Sequence, residues 1–340
     1  MKVEKYQTYK GIECLNSCIY NYIFNKGFDI SRSDIFFLGQ GLDITYTGHP
    51  GDKMIYSRQY ESNYAFMREF MPDTVCDNII GKSTGYMSEF LRKNVSDNEG
   101  ISDNKNMIIQ VSSTRLPYNK VFSENDIISH FINVLKYDGI NRMYYISDGC
   151  PPVMTDMVWE DWISEDALLD NWESMGGKYI ILNFNNNKLD TIKNKSAEEF
   201  KSQLKAYLRG KNILIKSRYK GYKSAITLFK DMLPLFENNV LDINQLVINI
   251  NRQFKINGFL QAKEFILDKA KALNIEGKIC EEYTDIINEW NKQMMLFIKA
   301  GISNSPDKFR LLIKDIECLT DRELKVLERM YAETGDKVKR

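Results

Sequence analysis

The stretch Gly11-Ile12-Glu13-Cys14-Leu15-Asn16-Ser17-Cys18-Ile19-Tyr20-Asn21-Tyr22-Ile23-Phe24-Asn25-Lys26-Gly27 sets a cysteine at the mouth of a helix. Leu15, Cys18, Ile19, Tyr22 and Ile23 recur at i, i+3, i+4, i+7 and i+8, one apolar face of a helix. Gly27 follows as a C-cap, so the spacing predicts a helix over 15–26 with Cys14 at or just before its first turn. Amide N–H groups at such an end have no intrahelical partner and carry partial positive charge, which stabilises an anion. The thiolate is the nucleophilic form of cysteine, so Cys14 is a candidate nucleophile. Cys18 lies on the apolar stripe and reads as core.

A nucleophilic thiol needs a base, and the chain holds two histidines, His49 and His130. His130-Phe131-Ile132-Asn133-Val134-Leu135 alternates like a strand, Asp138-Gly139 is a turn signal, and Met143-Tyr144-Tyr145-Ile146-Ser147 returns. In an antiparallel hairpin the start of the first strand lies beside the end of the second. Asp148, at that end, therefore comes close to His130 and can orient its ring. Asp138 sits in the turn at the far end. His49, in Thr47-Gly48-His49-Pro50-Gly51, has no evident orienting acid and is the lesser candidate. Gln7 precedes Cys14 by a short loop and is a candidate oxyanion donor beside the Cys14 N–H. Gln40, between Gly39 and Gly41, together with Tyr46 and Tyr118, is a candidate for substrate contact; Trp159 is a further possible pocket wall.

Between these motifs the sequence predicts short helices over Asp34–Leu38, Tyr64–Phe70 and Tyr86–Asn94, and strands over 42–46, 107–111 and 178–182. From Ala197 onward the period is helical: 197–208, 222–236, 243–257, 258–273, 277–300, 305–317, and 321–334 with Thr320 as N-cap and Glu323 completing a capping box. The expected class is α+β: a catalytic domain over 1–160, a mainly helical domain over 161–334 and a frayed tail over 335–340. The Asn/Lys-rich segment 185–195 reads as a solvated loop.

Lys plus Arg and Asp plus Glu balance at 46 each, which argues against a nucleic-acid partner. The first residues show no apolar signal core, and no run approaches the roughly 20 apolar residues that span a bilayer, so no membrane partner and a cytoplasmic location are expected. The six cysteines are scattered without a CxxC pair, which excludes a disulfide framework and makes no metal site the expectation.

Gly11-Ile12-Glu13-Cys14-Leu15-Asn16-Ser17, then Phe37-Leu38-Gly39-Gln40-Gly41-Leu42 with Tyr46, Leu116-Pro117-Tyr118, His130-Phe131-Ile132-Asn133-Val134 and Tyr145-Ile146-Ser147-Asp148-Gly149 together resemble the N-terminal domain of the butirosin biosynthesis acyltransferase family. The resemblance covers about residues 1–155, and it rests on the order and spacing of the motifs. It implies a papain-like cysteine fold in which Cys14 opens the central helix and His130 and Asp148 follow on the sheet. It also implies an acyl group carried as a thioester on the phosphopantetheine arm of an acyl carrier protein, no bound cofactor, and transfer to a small-molecule amine, a diamine or an aminoglycoside, in antibiotic biosynthesis. Glu13 stands where many relatives carry histidine. Two other functions fit the same residues: a cysteine hydrolase (peptidase, amidase or thioesterase) with the same triad, and a non-catalytic carrier-protein-binding module.

Overall fold

The computed structural model describes residues 6–49, 52–95, 106–123, 127–153, 157–184, 189–213, 218–238, 243–256 and 258–337. The chain mixes helices with antiparallel sheets and divides into two compact units. The first comprises Met1–Ile35 and Asn63–Leu189, the second Phe36–Ser62 and Asp190–Arg340.

In the first unit, helix α1 (Cys14–Asn25) forms one residue earlier than its apolar period alone dictates, because Glu13 caps it. The chain continues through α2 (Arg32–Leu38), the β1–β2 ribbon (Thr45–His49 and Asp52–Tyr56) and α3 (Gln59–Phe70). A six-stranded antiparallel sheet follows, in the order β3-β8-β4-β5-β6-β7. Its strands are β3 (Val75–Asn78), β4 (Asn106–Ser112), β5 (Ser129–Asp138), β6 (Met143–Asp148), β7 (Trp159–Ser164) and β8 (Lys178–Leu182). Helix α4 (Thr84–Asn94) precedes β4 and α5 (Glu165–Ser174) follows β7. Ile109, Ile132, Val134, Tyr144 and Ile146 share one apolar cluster with Met87 and Leu91 of α4 and Leu168 and Trp172 of α5. Helix α1 packs on β5 and β6. The predicted hairpin is present, with Asn133 opposite Ser147 and Asp138 opposite Met143.

The expected boundary at 160 falls inside this sheet. β7, α5 and β8 complete the first unit, because β7 pairs along β6 from Met143–Ser164 to Asp148–Trp159 and β8 covers β4. Segment 36–62, expected in the catalytic domain, instead gives β1 and β2 to the second unit.

There β1 and β2 join β9 (Lys211–Ile213) and β10 (Arg218–Lys220) in the order β2-β1-β10-β9. The helices are α6 (Leu189–Arg209), α7 (Ser224–Glu237), α8 (Ile243–Ile256), α9 (Phe259–Ala272), α10 (Gly277–Ile302) and α11 (Pro306–Lys337). Two expectations change. Residues 189–195 are the first turns of α6, and 185–188 lie outside the described residues. The two helices expected after 305 are one helix, and Thr320 is no N-cap: its hydroxyl bonds the Ile316 carbonyl at 2.7 Å, an interior role for threonine. Neither glycine nor proline interrupts 307–334, and Ile316, Leu319, Glu323 and Leu327 lie on its buried side. Glu323 therefore points into the core, where Lys263 meets it at 2.5 Å. The described part of the tail, 335–337, continues the helix. No helix among the described residues is long and apolar enough to cross a membrane.

Candidate active site

His130 is the second residue of β5 and Asp148 the last of β6, so the hairpin register brings them to the same end of the sheet. His130 Nε2 lies 2.7 Å from Asp148 Oδ2, with the two side chains 7% and 1% exposed. The carboxylate has two more donors. The Tyr118 hydroxyl donates to Oδ2 at 2.8 Å, and the Cys150 backbone N–H donates to Oδ1 at 2.8 Å. Burying a carboxylate is expensive unless its lone pairs are satisfied, and here both oxygens are engaged. With Nε2 committed to Asp148, Nδ1 is the ring nitrogen left for chemistry. The Tyr118 ring stacks on Trp159 at 4.1 Å. Burial and then the Asp148 charge push the Tyr118 phenol well above its ordinary value, so it stays a neutral donor.

Cys14 is half-buried at the first position of α1. Three contacts fix this end of the helix over the dyad. The Cys18 thiol donates to the Phe131 carbonyl at 3.4 Å, the Phe131 N–H is directed at the Cys14 thiol, and Gly11 N–H bonds the Gly149 carbonyl at 2.7 Å. Gly149 has no room for a side chain: an added Cβ would sit 2.2 Å from Ser17 Oγ and 2.4 Å from the Tyr9 carbonyl. The sulfur thus lies at the peptide joining His130 to Phe131, and Cys150, two residues past Asp148, is among its electrostatic neighbours. No hydrogen bond joins Cys14 directly to His130 among the described residues. The thiol hydrogen instead points at Glu13 Oε1, 3.3 Å away.

Glu13 overturns the expected source of thiol activation. Its carboxylate accepts from the N–H groups of Leu15 at 3.0 Å and Asn16 at 2.7 Å, and from Asn63 Nδ2 at 2.7 Å. The amides expected to favour a thiolate already serve a carboxylate. Burial first, then the charge of Glu13, pushes the Cys14 thiol well above its ordinary value. At rest Cys14 is a protonated thiol.

The remaining candidates separate. Gln7 is exposed, and its backbone N–H and carbonyl bracket the Asn25 side chain at 2.9 Å each. Asn25 ends α1, so Gln7 lies a helix length, about 16 Å at 1.5 Å per residue, from Cys14 and is no oxyanion donor. The Cys14 N–H, in contrast, makes no hydrogen bond among the described residues and can serve as that donor. The Tyr118 hydroxyl is engaged by Asp148, and its ring stacks on Trp159. Tyr46 is 1% exposed in β1 of the second unit, where its hydroxyl bonds Asp231 at 2.7 Å; it is core. Gln40 follows α2 with a left-handed φ of 59°. The turn Gly39-Gln40-Gly41 closes the helix by bonds from Gln40 N to the Phe37 carbonyl and from Gly41 N to the Phe36 carbonyl. Its glycines serve packing: a Cβ on Gly39 would meet the Ser62 carbonyl at 2.0 Å, one on Gly41 the Phe36 ring at 2.4 Å. His49 ends β1, with its backbone opposite Asp52.

The sequence assigned no role to Glu13 and did not foresee the bond from Tyr118 to Asp148. An acidic residue directly before a predicted helix was a visible capping signal for the first. Nothing local linked Tyr118 to a carboxylate 30 residues away.

No family profile matches this chain, and no curated protein matches it in sequence.

Proposed function

We propose that the chain is a papain-like, cysteine-dependent acyltransferase that forms amides in secondary-metabolite biosynthesis. The buried His130–Asp148 pair, placed at the strand ends next to the helix-borne Cys14, carries this reading. A helix beginning with Cys, packed on antiparallel strands that bring His and then Asp, is the arrangement expected of that fold.

In the reaction, the thiol turns from Glu13 to His130, whose Nδ1 takes the proton as the sulfur attacks the thioester carbonyl. Asp148 holds the ring and stabilises its charged form, while Tyr118 and the Cys150 N–H hold Asp148. The Cys14 N–H receives the oxyanion. The departing pantetheine thiol leaves with the proton. An amine then attacks the acyl-enzyme, giving the amide and restoring the thiol. The acyl donor is a phosphopantetheine thioester on an acyl carrier protein, and the acceptor is a diamine or aminoglycoside amine.

Intact-mass analysis with an acyl-carrier thioester tests the reading. A mass increase equal to the acyl group is expected on the wild type and not on Cys14→Ala, and added amine discharges it as an amide. Release as free acid in the presence of amine assigns a hydrolase. Absence of any adduct with a panel of acyl-carrier thioesters, or an adduct that persists in Cys14→Ala, refutes Cys14 as the acyl carrier. Slow alkylation of Cys14 does not discriminate, since a protonated thiol alkylates slowly in enzyme and binding module alike.

A further inference from the structure

Glu13 is 6% exposed and its carboxylate serves four donors: two helix amides, the Asn63 side chain and the Cys14 thiol. Three of these donors are permanent. The fourth is the hydrogen that catalysis removes. Once Cys14 is acylated, Oε1 loses its thiol donor at a point 3.3 Å from the sulfur while keeping the Leu15 N–H. A buried carboxylate oxygen deprived of a donor is a strong acceptor, and it stands beside the electrophilic carbon only in the acyl-enzyme.

We propose that Glu13 binds the attacking amine and directs the acyl-enzyme toward aminolysis over hydrolysis, an inference that rests on the acyltransferase reading. An N–H of the acceptor replaces the lost thiol hydrogen at Glu13 Oε1. The nitrogen lone pair forms the C–N bond, the C–S bond breaks, and the sulfur keeps that electron pair. A second amine proton passes through His130 to the sulfur, and the regenerated thiol again donates to Glu13. An acceptor that arrives as an ammonium gives up its extra proton to solvent before attack. The carboxylate favours a cationic primary amine over neutral water, because either donor makes a charge-assisted hydrogen bond to it and only the ammonium adds an opposite charge. It disfavours hydroxide and acceptors carrying their own carboxylate close to the amine. Glu13 thus selects by charge at the arriving nitrogen, whereas His130 and the Cys14 N–H do not distinguish amine from water.

The test uses the full-length protein, an N-acetylcysteamine acyl thioester as donor and 1,3-diaminopropane as acceptor. Glu13→Gln removes the charge and keeps one acceptor oxygen, which can still serve Asn16 and Asn63 on the Oε2 side but leaves the Leu15 N–H without its acceptor. Acyl-enzyme formation, followed separately by intact mass, is expected to persist and not to slow, because the charge that pushes the Cys14 thiol up is removed. The KM for the diamine is expected to rise at least about tenfold, the worth of one hydrogen bond to a charged group, and the free-acid to amide ratio to rise with it. A purely structural cap would slow both half-reactions and leave the product ratio unchanged. Wild-type diamine KM and product ratio in Glu13→Gln overturn the inference while leaving the acyltransferase reading intact; a wild type that forms no acyl-enzyme removes both. Should Glu13→Gln not fold, the wild type alone decides, through 1,3-diaminopropane against β-alanine. A diamine preference of at least about tenfold in kcat/KM supports the inference, and equal kcat/KM overturns it.

Discussion

Tyr118→Phe removes one oxygen atom from the hydrogen bonds that hold Asp148 and little else. The ring stays in place through its 4.1 Å stack on Trp159, so the change isolates the hydroxyl that donates to Asp148 Oδ2 at 2.8 Å. Asp148 is 1% exposed, and water cannot readily take the hydroxyl's place. A hydrogen bond to a buried charge contributes about 1.5–3 kcal/mol, so the loss in stability should fall in that range. For a unit of this size it lowers Tm by about 3–12 °C. His130 Nε2 and the Cys150 N–H still hold the carboxylate, so the acylation rate falls by up to about tenfold. Asp148→Ala, which removes the ring's partner altogether, costs about 10³–10⁴-fold. Calorimetry gives the first number and single-turnover acylation followed by mass the second. The decisive feature is the split between kcat and KM. A residue that positions Asp148 changes kcat and leaves the donor KM alone, whereas a pocket wall does the reverse. A raised donor KM with unchanged kcat and unchanged Tm would return Tyr118 to the substrate pocket and refute the reasoning.

Cys18→Ala is expected to keep acylation while losing about 1 kcal/mol of stability in urea, since Cys18 is 1% exposed and its thiol donates to the Phe131 carbonyl; loss of the acyl adduct in this variant would move the nucleophile to Cys18. Glu165 is 1% exposed, and burial alone would raise its carboxyl, but bonds from Ser88, Arg92 and Arg142 outweigh burial and lower it. Its folded value lies below its unfolded one, about 4.3, so its contribution is fully present above that pH and is lost as pH falls through the folded value. Tm should therefore fall less steeply below about pH 4.3 in Glu165→Gln than in wild type, and parallel curves would dismiss the linkage. In the second unit Lys263 and Glu323 are 0% and 2% exposed. Lys263→Met strands a buried carboxylate and should cost about 3–5 kcal/mol, most of it recovered by adding Glu323→Gln, whose amide oxygen can still accept from Trp290 while its NH2 donates to the Tyr283 hydroxyl oxygen. Additive losses in urea denaturation would show the pair to be uncoupled.

How much of this was legible depends on whether the cause is local. The α1 stripe, the Asp138-Gly139 turn and the pairing of His130 with Asp148 follow from period and hairpin register, which the sequence carries within about 20 residues. Helix α5 was absent from the sequence expectations although its signals are local: Ser164 caps it by accepting from the Ala167 N–H, acidic residues fill its first turn, and Leu168, Leu169 and Trp172 form its buried side. β3 was not legible, because Val-Cys-Asp-Asn is exposed at all four positions and exists through pairing with β8. The unit boundary was hidden for the same reason: which sheet a strand joins is settled by partners more than 100 residues distant, as in the β1–β10 register.

The state of Cys14 lies between these extremes. Sequence supplies a thiol and a helix end, and from those alone a thiolate follows. The sign reverses because Glu13 spans one turn and occupies the same amides, with Asn63 from α3 securing its second oxygen. A thiol protonated at rest is a poor target for adventitious alkylation or oxidation, both of which require the thiolate. In the proposed reaction it becomes a nucleophile only when its proton moves to His130. On the proposed mechanism, attack therefore requires the thiol to leave Glu13 as the donor carbonyl arrives, and the same carboxylate is then open to the amine. One residue beside the nucleophile thereby links the quiet resting thiol to the order of the two half-reactions: donor first, acceptor second.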